Sequence, residues 1–413
     1  MSESKSVAVE ARETFVLAVF AAFAAAAGVA CGSDIVSADR ASAAGDTVVA
    51  SHIATIGQIE GEDEYLLGDV VSVAAGPHGN IYIADRIGSS VRAYDQAGLF
   101  LGTIGAKGEG PGEFQWPADL TFDPQGQLIV RDSKRITVLD SRATSVLPDS
   151  VVRTQPLGLW ANLSSRRARS DGVLYYYPAY LFRADEPDRY FYLVFDTDGQ
   201  TRDTLAVPTV GNLQFIRRAS YRTGPRGGRL VDGVNRAPFE PHASWDVTVG
   251  GSIVVTSGES YRIHEIGPHG DTLMSIDRPM TRSRHIPRQE LRDSLAAFKR
   301  RLFSVPVLLD RVSGMSELAR RGALPDSLPA IVGLHVSVDN RIWVQRWPAP
   351  GAGDSRFFDV FDSTGNFART VVIPAPILSH PPPHVSAELF VGVVQDPETE
   401  VQSVVVFRVG ATR

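Results

Sequence analysis

One phrase that returns along the chain constrains the fold more than any other feature. It is an apolar stretch, a polar turn carrying Gly or Asn, and then a strand rich in β-branched and aromatic residues. It stands at Gly76-Pro-His-Gly-Asn-Ile-Tyr-Ile-Ala-Asp85, Asp123-Pro-Gln-Gly-Gln-Leu-Ile-Val-Arg-Asp132, Ser170-Asp-Gly-Val-Leu-Tyr-Tyr-Tyr177, Val249-Gly-Gly-Ser-Ile-Val-Val255 and Val338-Asp-Asn-Arg-Ile-Trp-Val344. Gly or Asn at the turn supplies the positive φ that a tight hairpin requires. A second turn follows 17 to 27 residues later, as Asp95-Gln-Ala-Gly98, Asp196-Thr-Asp-Gly199 and Asp362-Ser-Thr-Gly365, with degenerate copies at Asp140-Ser-Arg-Ala143 and Gly267-Pro-His-Gly270. The repeating unit is therefore four short antiparallel strands.

Such a unit cannot bury both of its faces alone, whereas stacking copies radially about an axis covers every face and leaves only short edges. The expected fold is all-β: a six-bladed β-propeller of four-stranded antiparallel blades. Five copies are explicit, and Glu388–Val394, a turn at Asp396-Pro397 and Gln402–Val409 imply a sixth that lacks its outer strand. Thr47–Gly57 has strand composition but precedes the first blade. It is expected to fill the missing outer position antiparallel to the last strand, because an open ring would expose edges that invite pairing with other chains.

Two segments depart from the repeat. Residues 209–240 form a long Arg-rich connection, and residues 280–330 carry a small helical insert. Its amphipathic helix is expected over Pro287–Phe303, where Leu291, Leu295, Phe298 and Leu302 fall on one face.

The chain of 413 residues is 43% hydrophobic and 21% charged, with ample material for one folded domain, and its net charge of −6 argues against a general nucleic-acid binder. Cys31 is its sole cysteine, which excludes an intramolecular disulfide and a Cys-based zinc site. Its position is informative. An apolar run from Phe15 to Ala30 follows a polar segment with Lys5 and Arg12, and ends in Gly28-Val-Ala-Cys31-Gly-Ser33. This is the form of a secretory signal and is short for a membrane span.

The run also resembles a bacterial lipoprotein signal, which implies lipidation of Cys31; Gly28 stands where that signal usually has a Leu-like residue. A plain cleaved signal is the other reading. The expected organisation is a signal peptide at 1–30, a lipid-anchored flexible tether at 31–46, and the propeller at 47–413.

Counting back from each first turn, Val73, Leu120, Trp245 and Leu334 alternate with Ser72, Asp119, Ser244, Asp246 and His335. Side chains alternate between the two faces of a strand, so the polar set is expected to look into the central channel. Asp119, Asp246 and His335 are the candidates for a channel metal site holding one divalent cation such as calcium. A water-filled, hydrogen-bonded channel with no cofactor is the plainer alternative. The pair His380 and His384, in His-Pro-Pro-Pro-His, reads as a stiff surface loop. Gly108-Glu-Gly-Pro-Gly-Glu-Phe114 lacks the Lys-Ser/Thr of a phosphate loop and reads as a linker. No nucleophile motif is evident. Arg217, Arg218, Arg222, Arg226 and Arg229 face one acid, Asp232, across this stretch. They are candidates for a basic binding surface toward an acidic polysaccharide or protein.

The repeated phrases resemble NHL-type repeats and, more closely, the six-bladed, TolB-like propellers found as bacterial lipoproteins of unassigned function. That resemblance spans roughly residues 66–410. It implies an exported monomer of the cell envelope, attached to the membrane through its N-terminal lipid. The favoured function is non-enzymatic: a binding or scaffold propeller. The alternative is a metal-dependent hydrolase or lyase, since propeller lactonases of the gluconolactonase type bind a metal in the channel.

Overall fold

In the computed structural model, residues 47–410 are described except 124, 133–134, 141–146, 148–149, 348–352, all but the strands and residues 239, 241 and 243 between 157 and 243, and most of 279–326. Strand pairing gives five four-stranded antiparallel sheets, one five-stranded sheet and a two-stranded ribbon. Blade one runs through Val70–Ala75, Ile81–Asp85, Ser90–Tyr94 and Phe100–Ile104, and blade two through Asp119–Phe122, Leu128–Arg131, Arg135–Asp140 and Ser150–Pro156. Blade three is Leu163–Ala168, Leu174–Pro178, Phe191–Phe195 and Thr201–Ala206; blade four is Ser244–Val247, Ile253–Thr256, Arg262–Ile266 and Thr272–Asp277. Blade five comprises Gly333–Val336, Ile342–Arg346, Arg356–Phe361 and Phe367–Ile373.

The sixth blade is built from both ends of the chain. His384–Val385, Leu389–Gln395 and Gln402–Arg408 supply three strands, and Ser51–Ile56 pairs antiparallel with Gln402–Arg408 as the outer one. The expected closure is present, with one refinement. Thr47–Val49 first pairs parallel with Phe367–Ile373, the outer strand of blade five, before the chain moves on to blade six. One N-terminal segment thus stitches two neighbouring blades.

The turns explain why the sequence repeats as it does. Gly79, Gly126 and Gly251 and the non-glycine Asn340 all have positive φ, and each donates its N–H to the residue three before it, at 2.9 Å. Gly98, Gly270 and Gly365 do the same in the second turns, at 2.9 to 3.0 Å. A β-branched residue at any of these positions would force an L side chain into the left-handed region.

First strands of successive blades lie side by side: blade one beside two, two beside three, three beside four and four beside five, while blade six lies against the first strand of blade one. The apolar core is divided among the gaps between blades. One cluster joins blades six and one (Ile56, Val391, Val404, Ile81, Ile83, Tyr94), a second joins five and six (Trp343, Phe358, Phe390), a third one and two, and a fourth four and five. Full burial of each such side chain contributes roughly 1.5–3 kcal/mol, so packing between neighbours is a large part of what holds these blades.

One sequence expectation gains detail, and another falls outside the described residues. The Arg-rich connection holds the two-stranded ribbon, Arg218–Arg222 paired with Leu230–Val234. The expected helix over Pro287–Phe303 lies outside the described residues, apart from a few positions of which Gln289 and Ser294 are helical. Among the described residues no helix is long and apolar enough to cross a membrane.

Candidate functional site

The face of the disc at which the first strands begin is here called upper, and the described linkers into blades one, two and six arrive there. Two carboxylates of the repeat hold these linkers. Asp85, 1% exposed, accepts the N–H groups of Gly68, Asp69, Ile87 and Gly88, each at 3.1 Å. Its counterpart Asp132 accepts those of Gln115 and Trp116, at 2.9 and 2.5 Å. Arg135 clamps the Gly-rich stretch before them, donating to the carbonyls of Gly108, Glu109 and Glu113. That stretch is a linker, as its sequence suggested, and its fixed path leads through Pro117 and Ala118 into Asp119.

Asp119 lies at the start of the first strand of blade two. Its Oδ1 accepts the Ser72 hydroxyl at 2.8 Å and the Leu120 N–H at 2.9 Å, so it links blade two to blade one. Asp246 makes the analogous link between blades four and five. It is 7% exposed, with Oδ1 accepting the Val247 N–H and Oδ2 the Val336 N–H, both at 2.8 Å. Two strand positions earlier, Ser244 Oγ accepts the Leu334 N–H at 3.0 Å. These channel residues therefore also serve as clamps between blades.

A cavity of about 130 Å³ opens between these strands. Among the described residues it is lined by Ser72, Asp119, Thr121, Asp246 and His335, by His380 from the linker into blade six, and by His384, which opens that blade's first strand. The alternation read from the sequence thus brings Asp119, Asp246 and His335 to one place. His380 and His384, read as a stiff surface loop, also line this cavity; His380 is exposed and His384 half-buried. The linker that carries the first and leads to the second is tied down where Leu378 donates its N–H to the Val393 carbonyl at 2.8 Å and Ile377 is buried. Pro382 and Pro383 complete the wall. The signal was the stiffness of three consecutive prolines; its direction depended on where blade six begins.

Among the described residues, no three His, Cys, Asp or Glu side chains stand close enough together to hold a metal ion. Asp119, Asp246 and His335 share a cavity without closing around a point. Cys31 lies outside the described residues, as do the side chains of Arg217, Arg218, Arg222, Arg226 and Arg229; the backbones of Arg218 and Arg222 belong to the ribbon strand.

Residues 35–207 match a family described as a 6-bladed beta-propeller. No curated protein matches the sequence. Among solved structures, a Bacteroides fragilis protein whose name describes it as exported is 14% identical, with 86% of this chain and 94% of that one covered at a TM-score of 0.45. Virginiamycin B lyase from Staphylococcus aureus is 11% identical, with 83% and 95% covered and a TM-score of 0.37. Regucalcin from Agrobacterium tumefaciens, a calcium-binding protein, is 10% identical, with 89% and 99% covered and a TM-score of 0.36. With its blades counted in the structure, this chain is an all-β propeller similar, over residues 35–207, to the family described as a 6-bladed beta-propeller.

Proposed function

We propose that the protein is a non-enzymatic binding propeller of the cell envelope, exported and held to the membrane by a lipid on Cys31, with its ligand in the channel cavity. The observation that supports it best is the convergence of Asp119, Asp246, His335, His380 and His384, from four blades, on one small polar cavity. Concave sites with a few convergent polar groups on a rigid frame are the usual form of a small-ligand site. The Ser72 hydroxyl, the nearest candidate nucleophile, is directed at the Asp119 carboxylate and the Leu120 carbonyl. The terminal apolar run and its cysteine support the location.

Two measurements test this reading. Radiolabelled palmitate is expected to enter the wild-type protein and to be absent from Cys31→Ser; equal labelling of the two removes the anchor. A thermal-shift screen of the purified propeller against charged and neutral small molecules is expected to yield ligands whose effect disappears in His335→Ala. A stoichiometric metal in the purified protein, lost together with turnover of a lactone or ester in Asp246→Asn, would replace the binding reading with a metal-dependent hydrolase.

A further inference from the structure

The upper face carries a second candidate surface, outside the channel and independent of the reading above. A single exposed apolar side chain is ordinary, whereas neighbouring ones on a rigid frame mark a surface that another molecule covers. Ile87 and Trp116 are 71% and 59% exposed, and both belong to segments held by the buried linker carboxylates. Asp85 accepts the Ile87 N–H at 3.1 Å, and Asp132 accepts the Trp116 N–H at 2.5 Å. The Ser89 hydroxyl donates to the Gln115 carbonyl at 3.1 Å, which ties the turn that carries Ile87 to the linker that carries Trp116. On its other side Ile87 abuts the linker into blade one, where a Cβ on Gly68 would stand 2.8 Å from that of Ile87. Two fixed linkers thus bracket Ile87. A backbone held in this way leaves little to order on binding, which favours affinity, and Trp is among the residues most enriched where interfaces concentrate their energy.

Both linkers are acidic. Arg86 pairs with Asp69, Arg92 with Asp85 and Arg135 with Asp132. Those pairs leave Glu60, Glu62, Asp63 and Glu64 on the linker into blade one and Glu109 and Glu113 on the linker into blade two, against Lys107 among the described residues. Lys134, which lies outside the described residues, would not reverse that excess. Glu109 accepts from Gln115 Nε2 at 2.5 Å, which keeps its carboxylate beside the residue that precedes Trp116. An apolar pair rimmed by carboxylates attracts a segment whose apolar side chains are flanked by cations, and it repels an anionic lipid surface.

We infer that this surface docks a basic segment of a partner protein. An aliphatic side chain of that segment packs against Trp116 and Ile87, and its Lys or Arg residues meet the two acidic linkers.

The test uses the full chain with Cys31→Ser, so that no lipid contributes, and short fluorescein-labelled peptides read by anisotropy at near-physiological salt. An alternating Arg-Leu peptide carries both features, Arg-Ser lacks the apolar side chains, and Glu-Leu reverses the charge. Arg-Leu is expected to bind at least about tenfold more tightly than either of the others. The double variant Ile87→Ala/Trp116→Ala is expected to weaken it at least about tenfold. Glu60→Gln/Glu62→Gln/Asp63→Asn is expected to weaken it severalfold and to flatten its dependence on salt. Both clamps use main-chain N–H groups, so the double variant is expected to keep the parent melting temperature. Equal binding of Arg-Leu and Arg-Ser, or undiminished binding by the double variant, overturns the inference. Cosedimentation with phosphatidylglycerol vesicles that the double variant abolishes overturns it in favour of a lipid surface, and dimerisation that the double variant abolishes overturns it in favour of a second copy. Loss of the Arg-Leu peptide in His335→Ala, with the double variant unaffected, would place the peptide in the channel: this surface is then wrong and the channel reading stands.

Discussion

The gap between blades six and one and the gap between blades four and five are built to the same plan and held by different means. At the first, the apolar cluster of Ile56, Val391, Val404, Ile81 and Ile83 is reinforced by a borrowed strand: Ser51–Ile56 lies along Gln402–Arg408. At the second, the cluster of Val254, Ile263, Leu334 and Phe361 is reinforced by two buried carboxylates, Asp246 near the channel and Asp359 farther out. Asp359, 2% exposed, accepts from the Tyr261 hydroxyl (2.8 Å), Arg278 Nη1 (3.0 Å), Arg346 Nε (3.0 Å) and the Thr370 hydroxyl (2.8 Å). Arg278 also lies over the Phe367 ring, 4.2 Å from its centre. The seam distributes its hold over a ladder of backbone pairs, whereas the other gap relies on side-chain hydrogen bonds, those of Asp246 and Ser244 near the channel and, with the most partners, those of Asp359. The seam should then fail when a strand is removed and tolerate single substitutions, and the four–five gap should do the reverse.

The largest effect is expected from deleting residues 47–57. That removes both stitches, exposes the edge of Gln402–Arg408 and uncovers the side chains that Ile56, fully buried, packs against. The loss is comparable to the ~5–15 kcal/mol that holds a whole domain folded. Denaturant titration should show no cooperative transition, and light scattering should show aggregation. An unchanged melting temperature would break the comparison at its root.

Asp359→Ala comes next. Removing one partner of a buried ionic cluster leaves the others uncompensated, at a cost of about 3–5 kcal/mol. The two arginines are about a third exposed, so the lower end of that range is expected. Chemical denaturation read by Trp fluorescence measures it. A loss below about 1 kcal/mol would mean that this gap, too, rests on distributed packing.

The contrast between these gaps also shows what the sequence reveals and what it hides. Four-strand periodicity, the turn positions and even the spare N-terminal strand are local patterns, visible because Gly79, Gly126, Gly251 and Asn340 must each take positive φ. Strand parity was enough to send Asp119, Asp246 and His335 toward one cavity. Asp359 left no such trace. Arg346 comes from the neighbouring strand of blade five, but Tyr261 and Arg278 come from blade four and its exit, and only the stacking of blade four on blade five brings these two to Asp359. The same holds for His380 and His384, whose direction depends on where the last blade starts.

Tyr261→Phe sharpens the comparison through pH. Burial, followed by the Asp359 charge, raises the Tyr261 phenol well above its ordinary value of 10.0. A group whose pKa is raised by folding contributes stability that is fully present below the unfolded value and is lost as pH climbs through the folded one. The wild type is therefore expected to lose stability above about pH 10, and Tyr261→Phe to lose less over the same span. At pH 8 the variant is expected to be weaker by about 1.5–3 kcal/mol, the contribution of a hydrogen bond to a charged group. Parallel alkaline profiles for the two proteins would remove Tyr261 from the account.

Gln402→Ala is the smallest expected effect and bears most directly on the seam. Gln402 begins the last strand of the chain, and its Oε1 accepts the Val70 N–H at 2.7 Å, which joins blade six to the first residue of blade one. Val70 is buried, and its N–H points across the gap rather than into a strand ladder, so the substitution leaves a donor without its partner. An unsatisfied buried amide costs about 1–3 kcal/mol, and less where water reaches it. Gln402 is itself half-buried at the upper face, so the lower end, about 1 kcal/mol, is expected. The strand pairs on either side, Ile56 with Val404 and Val393 with Val404, are untouched by the change and should keep the transition cooperative. Urea titration of Gln402→Ala beside Asp359→Ala decides the matter. If Gln402→Ala costs as much as Asp359→Ala, the seam also relies on side-chain hydrogen bonds, and the borrowed strand is not what closes the ring.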